Sequence, residues 1–175
     1  MSSSLAGRAT TRLSYHFDPR ATDATIGRVN YEMYMSAALA EAREATRNGE
    51  ELDGAVAVLD EALVARAHPQ VVTTGDPTAH AVMVVVREAA RRLARPDLSG
   101  LVVFSASEPC AMCVGALIVA GVDGLVYALP DPAAGAAGSV HQLATGSRSA
   151  GRLSVVSGIM QREAAELRST AAARR

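Results

Sequence analysis

The chain of 175 residues carries a formal net charge of −1, with 49% hydrophobic and 20% charged residues. This balance is typical of a globular protein with one domain and excludes a disordered or fibrous chain. A near-neutral charge argues against broad electrostatic binding of nucleic acid, because such binding needs a basic face. An aromatic content of 3%, with no tryptophan, argues against a base-stacking platform.

The two cysteines cannot build a disulfide scaffold. The first residues lack the apolar segment of a secretory signal, and the longest apolar run, near residues 111–122, is too short to cross a bilayer. We therefore expect a cytoplasmic protein with no membrane segment. Residues 1–28, rich in Ser, Thr, Arg and Gly, predict an N-terminal extension, and residues 29–175 predict one domain.

Signals for helices and strands alternate along the chain. Asn30 is placed to cap a helix over residues 31–47, which Asn48-Gly49 ends. Two apolar runs at 54–59 and 62–67 predict a β-hairpin. The remaining predicted elements are a helix at 79–94 capped by Thr78, a strand at 101–105, a helix at 110–120, a strand at 124–129, a mostly irregular stretch at 130–151, a strand at 153–156 and a helix at 159–168. This order predicts a layered α/β domain with a partly parallel sheet.

Three residues carry a metal-binding signal: His80, Cys110 and Cys113. They lie near predicted helix starts, where the helix dipole favours thiolates and so eases ionisation of both cysteines. One imidazole and two thiolates suit zinc, and three protein ligands leave a fourth position open for water. A lone Cys-x-x-Cys also occurs in thiol redox proteins and in halves of structural zinc sites, so these alternatives stay open.

The segments DPTAHA at 76–81 and EPCAMC at 108–113 resemble the signature of the cytidine deaminase-like superfamily, specifically its guanine deaminase and tRNA adenosine deaminase branch. The similarity spans about residues 29–172 and includes Gly54-Ala55, AGAAGS at 134–139 and GIM at 158–160. The resemblance implies a three-layer α/β/α fold around a mixed five-stranded sheet, a homodimer, and Zn²⁺ between two central helices. It also implies hydrolytic removal of an exocyclic amine from a heterocycle by zinc-activated water.

The chain departs from the family pattern at three places. The family has a proton-carrying Glu two residues after the ligand histidine, whereas this chain has Val82, which has no ionisable group. An apolar pocket wall, commonly Pro-Phe-Gly-Ala, reads Leu52-Asp53-Gly54-Ala55 here, and a base-binding Asn is replaced by Pro69. Three explanations of Val82 stay open: an engineered inactivating substitution, a natural protein with another reaction or proton carrier, and a catalytically silent protein.

Roles for other residues follow from the same resemblance. Asp53 is the first surrogate for the missing acid, and its alternative is an exposed turn carboxylate. Pro69, Ala81 and His68 are expected near the substrate. In addition, Glu108 is expected to orient a loop and Asp76 to hold the turn before the ligand histidine.

The sequence therefore predicts a zinc-binding protein that resembles nucleobase and nucleoside deaminases. We expect an enzyme of the hydrolase type that acts on C–N bonds, inactive or altered as a deaminase because Val82 replaces the Glu. The neutral charge favours a small heterocyclic molecule over nucleic acid as its substrate. The alternative is a non-catalytic deaminase-fold subunit or ligand-binding module with structural zinc.

Overall fold

A computed structural model describes residues 30–146 and 153–173 of the chain, so the expected extension at 1–28 lies outside the described residues. The helices are α1 (Tyr31–Arg47), α2 (Val71–Thr74), α3 (Ala81–Leu93), α4 (Ala111–Val119), α5 (Leu143–Gly146) and α6 (Gln161–Ala172). The strands are β1 (Ala55–Leu59), β2 (Ala62–Ala67), β3 (Val102–Ser107), β4 (Gly124–Leu129) and β5 (Ser154–Ser157). In the described residues, no helix is long and apolar enough to cross a membrane.

The five strands form one mixed sheet in the order β2-β1-β3-β4-β5. Strand β1 is antiparallel to both β2 and β3, whereas β3, β4 and β5 run parallel to one another. The β1–β2 hairpin turns at Asp60 and Glu61, whose φ angles are 48° and 62°. Positive φ at both turn residues is the geometry that suits the twist of a two-residue hairpin.

Helices cover both faces of the sheet, and the side chains of β3 show this directly. Val103 packs in a core cluster with residues of α3 and α4, whereas the next residue, Phe104, packs in a second cluster with residues of α1 and α6. Successive side chains of a strand point to opposite faces, so the two clusters are separate layers. The three-layer α/β/α fold expected from the sequence is confirmed.

Helix α1 begins as its sequence predicts. The side chain of Asn30 accepts a hydrogen bond from the backbone N–H of Met33 at 3.0 Å, which satisfies one donor of the first turn. The buried face of α1 lies on β1 and β3. At the other end the backbone N–H of Asn48 bonds back to Glu44 and Ala45, and Gly49 follows with a φ of 76°.

Two local predictions are wrong. Thr78 does not cap α3, because the helix begins at Ala81 and His80 takes the cap position. Thr78 instead donates its N–H and its hydroxyl to Asp76 Oδ1, at 2.8 and 2.7 Å, and this turn keeps residues 76–79 out of the helix. The short helix α2 also lies in a stretch for which the sequence predicts no helix.

Candidate metal centre and pocket

The predicted zinc ligands come together at the starts of two neighbouring helices. His80 immediately precedes α3, and Cys110 immediately precedes α4. Nδ1 of His80 lies 3.6 Å from Sγ of Cys110 and 3.7 Å from Sγ of Cys113. All three ligand atoms lie within 4.8 Å of one another.

These separations fit a zinc ion. With typical Zn–N and Zn–S bond lengths, two tetrahedral ligands place their N and S atoms about 3.6 Å apart. The separations that the structure shows are therefore those of a preformed tetrahedral site. Because three donors converge among the residues that the structure describes, the donor set also leaves room for a fourth ligand, as catalytic zinc sites do.

Ionisation of the Cys113 thiol differs from the sequence prediction. Burial raises the pKa of the Cys113 thiol, and the nearby Cys110 and Asp53 raise it further. The start of α4 therefore does not by itself make Cys113 a ready thiolate. A bound metal would remove the Cys113 proton outright.

A pocket of about 440 Å³ opens at the three ligands. Its lining includes Val82 in the first turn of α3, Asp53 just before β1 and Pro69 after β2. Val82 is 1% exposed, so an apolar side chain occupies the position at which the family pattern has its Glu. The pocket thus combines a metal-binding corner with an apolar surface beside it.

Asp53 contributes a carboxyl group to the same pocket. Its Oδ1 accepts a hydrogen bond from the backbone N–H of Ser107 at 3.2 Å. Burial raises the pKa of Asp53 to about 7, against the lowering effect of the N–H groups of Gly54 and Ser107. A carboxyl group with such a pKa exchanges a proton near neutral pH, which is what general acid–base chemistry needs.

Helix α6 supplies a pocket wall that the sequence analysis missed. Arg168, Ala171 and Ala172 line the pocket from this helix. The guanidinium of Arg168 donates to the hydroxyl of Ser107 at 3.0 Å. No motif joins two residues 61 positions apart, so only the late arginine of a closing amphipathic helix signals this contact in the sequence.

Glu108 holds the loop that closes one side of the pocket. Its carboxylate accepts the backbone N–H groups of Asp131, Ala137 and Ser139 at 2.9 to 3.0 Å, and it also bonds to the Ser139 hydroxyl. Glu108 is only 3% exposed, and burial raises its pKa less than these donors lower it, so the net pKa falls. With every lone pair engaged by the loop, Glu108 positions Asp131 and Ala134 on the pocket wall.

Asp76 and His68 both lie away from the pocket lining. Asp76 accepts both Thr78 donors and lies 3.8 Å from the guanidinium of Arg87, so it holds the turn that precedes His80. His68 points to α1, where Nδ1 lies 3.0 Å from Glu41 and Nε2 lies 3.1 Å from Asn48.

Of the three residues expected at the substrate, the structure brings Pro69 alone to the pocket lining. His68 is kept away because its ring is held by the α1 side chains. Ala81 is completely buried in the core cluster between α3 and the sheet.

The fold and the site are those of a zinc-binding domain of the deaminase type. The chain belongs to the cytidine and deoxycytidylate deaminase family, whose zinc-binding region matches residues 28–129. It is 36% identical over 132 residues to the tRNA-specific adenosine deaminase of Bacillus subtilis (strain 168), a match that covers 75% of this chain and 82% of that protein.

Solved structures agree with this assignment. A structure from a study of A-to-I editing by tRNA:A34 deaminases at the wobble position of transfer RNA is 35% identical, with a TM-score of 0.73, and the match covers 77% of this chain and 98% of that one. The guanine deaminase of Bacillus subtilis is 34% identical, with a TM-score of 0.56, over 58% of this chain and 65% of that one.

The sequence prediction that nucleic acid is not a partner is wrong. Relatives at 35–36% identity are named for their action on tRNA, among them proteins of Bacillus subtilis and Aquifex aeolicus (strain VF5). Net charge averages over the whole chain, whereas an enzyme that takes one extruded base into a pocket needs few phosphate contacts. The prediction of a small heterocyclic substrate rested on the same net charge, so the net charge no longer supports it.

Proposed function

We propose that this protein binds tRNA and takes one adenine-type base into the pocket beside its zinc ligands. The observation that carries the proposal is that His80, Cys110 and Cys113 converge at tetrahedral spacing on a pocket of about 440 Å³. That volume lies within the usual range for small-ligand sites and accommodates a base. The tRNA-specific relatives support the choice of substrate.

The chemistry that follows is a hydrolysis of the deaminase type. A zinc ion held by one histidine and two cysteines supplies the Lewis acidity that makes water a nucleophile near neutral pH. His80 and Cys113 would hold the ion in place, because His80 immediately precedes α3, Cys113 lies in α4, and both helices pack into the core. Glu108 fixes the loop that carries Asp131 and Ala134 on the pocket wall.

Proton transfer is the step for which this chain lacks the usual group. Val82 neither accepts a proton from water nor delivers one to the leaving amine. We propose that Asp53 takes this role, because it places a carboxyl group in the same pocket. Removal of the amine is then slower than with a glutamate at position 82, since the carboxyl group reaches the base from a different wall.

A second function is favoured by Val82 itself. If no side chain carries the proton, the domain binds the base without converting it and acts as a non-catalytic subunit or binding module. In that case zinc is structural, because it holds the starts of α3 and α4 together.

Homodimer formation and a cytoplasmic location stay predictions from the sequence. Sedimentation of the zinc-loaded protein checks whether it forms a homodimer.

The test is inosine formation in an anticodon stem-loop RNA that carries adenosine at the wobble position. The zinc-loaded protein is compared with Val82→Glu and with Val82→Gln. Glutamine has nearly the size of glutamate, but its amide group cannot act as a general acid or base. A general acid–base group is worth roughly 10²–10⁴-fold in rate. We expect Val82→Glu to exceed both others by less than this factor if Asp53 carries the proton, and by the whole factor if no side chain does.

Each outcome separates the two functions. Slow conversion by the unchanged protein supports a surrogate carboxyl group. RNA binding without conversion by the unchanged protein, but with conversion by Val82→Glu, supports the binding module. If the unchanged protein neither binds the stem-loop nor converts it, and Val82→Glu is equally silent, tRNA is not its substrate.

A further inference from the structure

Arg168 stands out among the charged residues of the pocket lining. Within the described part of the chain, the other charged lining residues apart from the ligand His80 are all acidic: Glu51, Asp53, Glu108 and Asp131. Arg168 is therefore the one permanent positive charge on that lining. It lies on the exposed side of α6, at the mouth of the pocket.

The guanidinium is held in position without a close ion pair, although its charge also acts on the Asp53 carboxyl group. Its hydrogen bond goes to the hydroxyl of Ser107, which carries no charge. Among the described residues, no carboxylate lies within 4.0 Å of it in an ion pair, in contrast to Arg91 and Arg92 on α3, which share Glu88. A guanidinium has five N–H donors, so the bond to Ser107 leaves donors that point to solvent.

Two acidic groups, Glu108 and Asp131, disfavour the loop side of the pocket for a phosphate. Asp131 and Glu108 lie on the loop side of the pocket and accept backbone N–H groups there. A phosphate on that side meets negative charge, whereas on the α6 side it meets Arg168. Guanidinium and phosphate form paired, charge-assisted hydrogen bonds, which makes arginine well suited to such a contact.

We propose that Arg168 binds a backbone phosphate next to the nucleotide whose base enters the pocket, with Ser107 holding the guanidinium in place. This inference rests on the proposed function and adds a specificity-determining residue to it. It implies that the pocket selects a phosphate-bearing nucleotide within RNA over the free base. It also places the RNA backbone along α6 rather than along the loop at 131–139.

The test is the salt dependence of RNA binding by the full, zinc-loaded protein. Fluorescence anisotropy with the anticodon stem-loop gives the affinity at several salt concentrations. We expect Arg168→Gln to weaken binding about tenfold and to reduce the slope of log affinity against log salt by about 0.7, the value for one phosphate contact on a single strand.

Two further variants keep the inference falsifiable. Arg168→Lys retains the positive charge but loses the paired donors of the guanidinium. The salt dependence of RNA binding should therefore stay the same while the affinity for RNA falls. Arg162→Gln removes the same charge from α6 at a residue outside the pocket lining, where Arg162 lies 3.9 Å from Glu163. This matched control should bind RNA as the unchanged protein does.

Three results would overturn the inference. One is a slope in Arg168→Gln equal to that of the unchanged protein; another is an equal loss in Arg162→Gln, which would indicate a general charge effect. Either would leave the proposed function intact. The third is failure of the unchanged protein to bind the stem-loop, which would remove the proposed function as well. Zinc content and circular dichroism of each variant show that the fold is retained.

Discussion

Val82 and Asp53 line the same pocket from different elements: Val82 from the first turn of α3, and Asp53 from the segment that leads into β1. The family pattern has an acid at the first position and an apolar side chain at the second. In this chain the order is reversed: position 82 has the apolar side chain and position 53 has the carboxyl group. The zinc ligands between them keep a spacing that suits the ion, so the exchange leaves the metal site unchanged.

The first prediction concerns the role of Asp53. If its carboxyl group carries the proton, Asp53→Asn should lower the rate of inosine formation by about 10²–10⁴-fold, because an amide cannot exchange that proton. Zinc content and RNA affinity should stay the same. The control is Glu44→Gln, which removes an exposed carboxylate of α1 far from the pocket lining. An unchanged rate in Asp53→Asn would assign the proton transfer elsewhere.

The second prediction uses the raised pKa of Asp53. The folded protein holds a proton on Asp53 up to a pKa of about 7, whereas the unfolded chain releases it near 3.8. Between these values the folded state binds more protons, so its free energy of unfolding should fall as the pH rises. Relative to Asp53→Asn, the unchanged protein should therefore lose stability from about pH 4 to about pH 7.

Urea unfolding of both proteins at matched pH values, after removal of zinc, measures this difference. Zinc is removed because Asp53 acts on the ligand Cys113, so a bound cation would change the pKa of Asp53 and the pH dependence of zinc binding would differ between the two proteins. A difference between the two that stays constant across the interval contradicts the raised pKa.

The third prediction concerns the metal. Cys113→Ala and His80→Ala should each lower the zinc content well below one ion per chain, because each removes one of three donors. Met112→Leu, a change between the two cysteines that conserves volume, should keep the zinc content. Elemental analysis of the purified proteins decides this, and a chelator should lower the melting temperature of the unchanged protein and of Met112→Leu but not of the two ligand variants.

The fourth prediction compares two glycines. A Cβ at Gly54 would meet the backbone of α1, with the N of Ala42 at 2.5 Å and the Cβ of Glu41 at 2.8 Å. Gly54→Ala should therefore cost about 3 kcal/mol of unfolding free energy, the upper range for overpacking. Gly115 lies inside α4 with no atom within 4 Å of its Cβ position, so Gly115→Ala should gain about 0.8 kcal/mol. Equal effects of the two changes would contradict the close approach at Gly54.

The structure and its comparisons also show how far the sequence alone predicts this protein. The boundaries of α1 follow from local signals, because Asn30 caps the first turn and Asn48 and Gly49 end the last. The metal-binding trio follows from residue types near two predicted helix starts. The helix boundaries depend on contacts between residues close in sequence. The metal site depends on a set of donor residues that few other functions share.

What could not be predicted depends on contacts between distant segments. His68 has a strand-end position that suits a pocket, but Glu41 and Asn48 on α1 hold its ring elsewhere. Arg168 meets Ser107 only because α6 returns over the end of β3. The prediction that nucleic acid is not a partner was wrong because net charge averages over the whole chain and does not describe the pocket into which a single base would enter.

The loop at 131–139 and the segment that carries Cys110 are fastened together. Glu108 binds the loop, the N–H of Ala136 donates to the carbonyl of Pro109 at 2.9 Å, and Cys110 pairs with Gly135 in an isolated β-bridge. Motion of this wall therefore displaces a metal ligand. By thermodynamic reciprocity, any occupant that tightens the loop raises the affinity for zinc, and zinc raises the affinity for that occupant by the same factor.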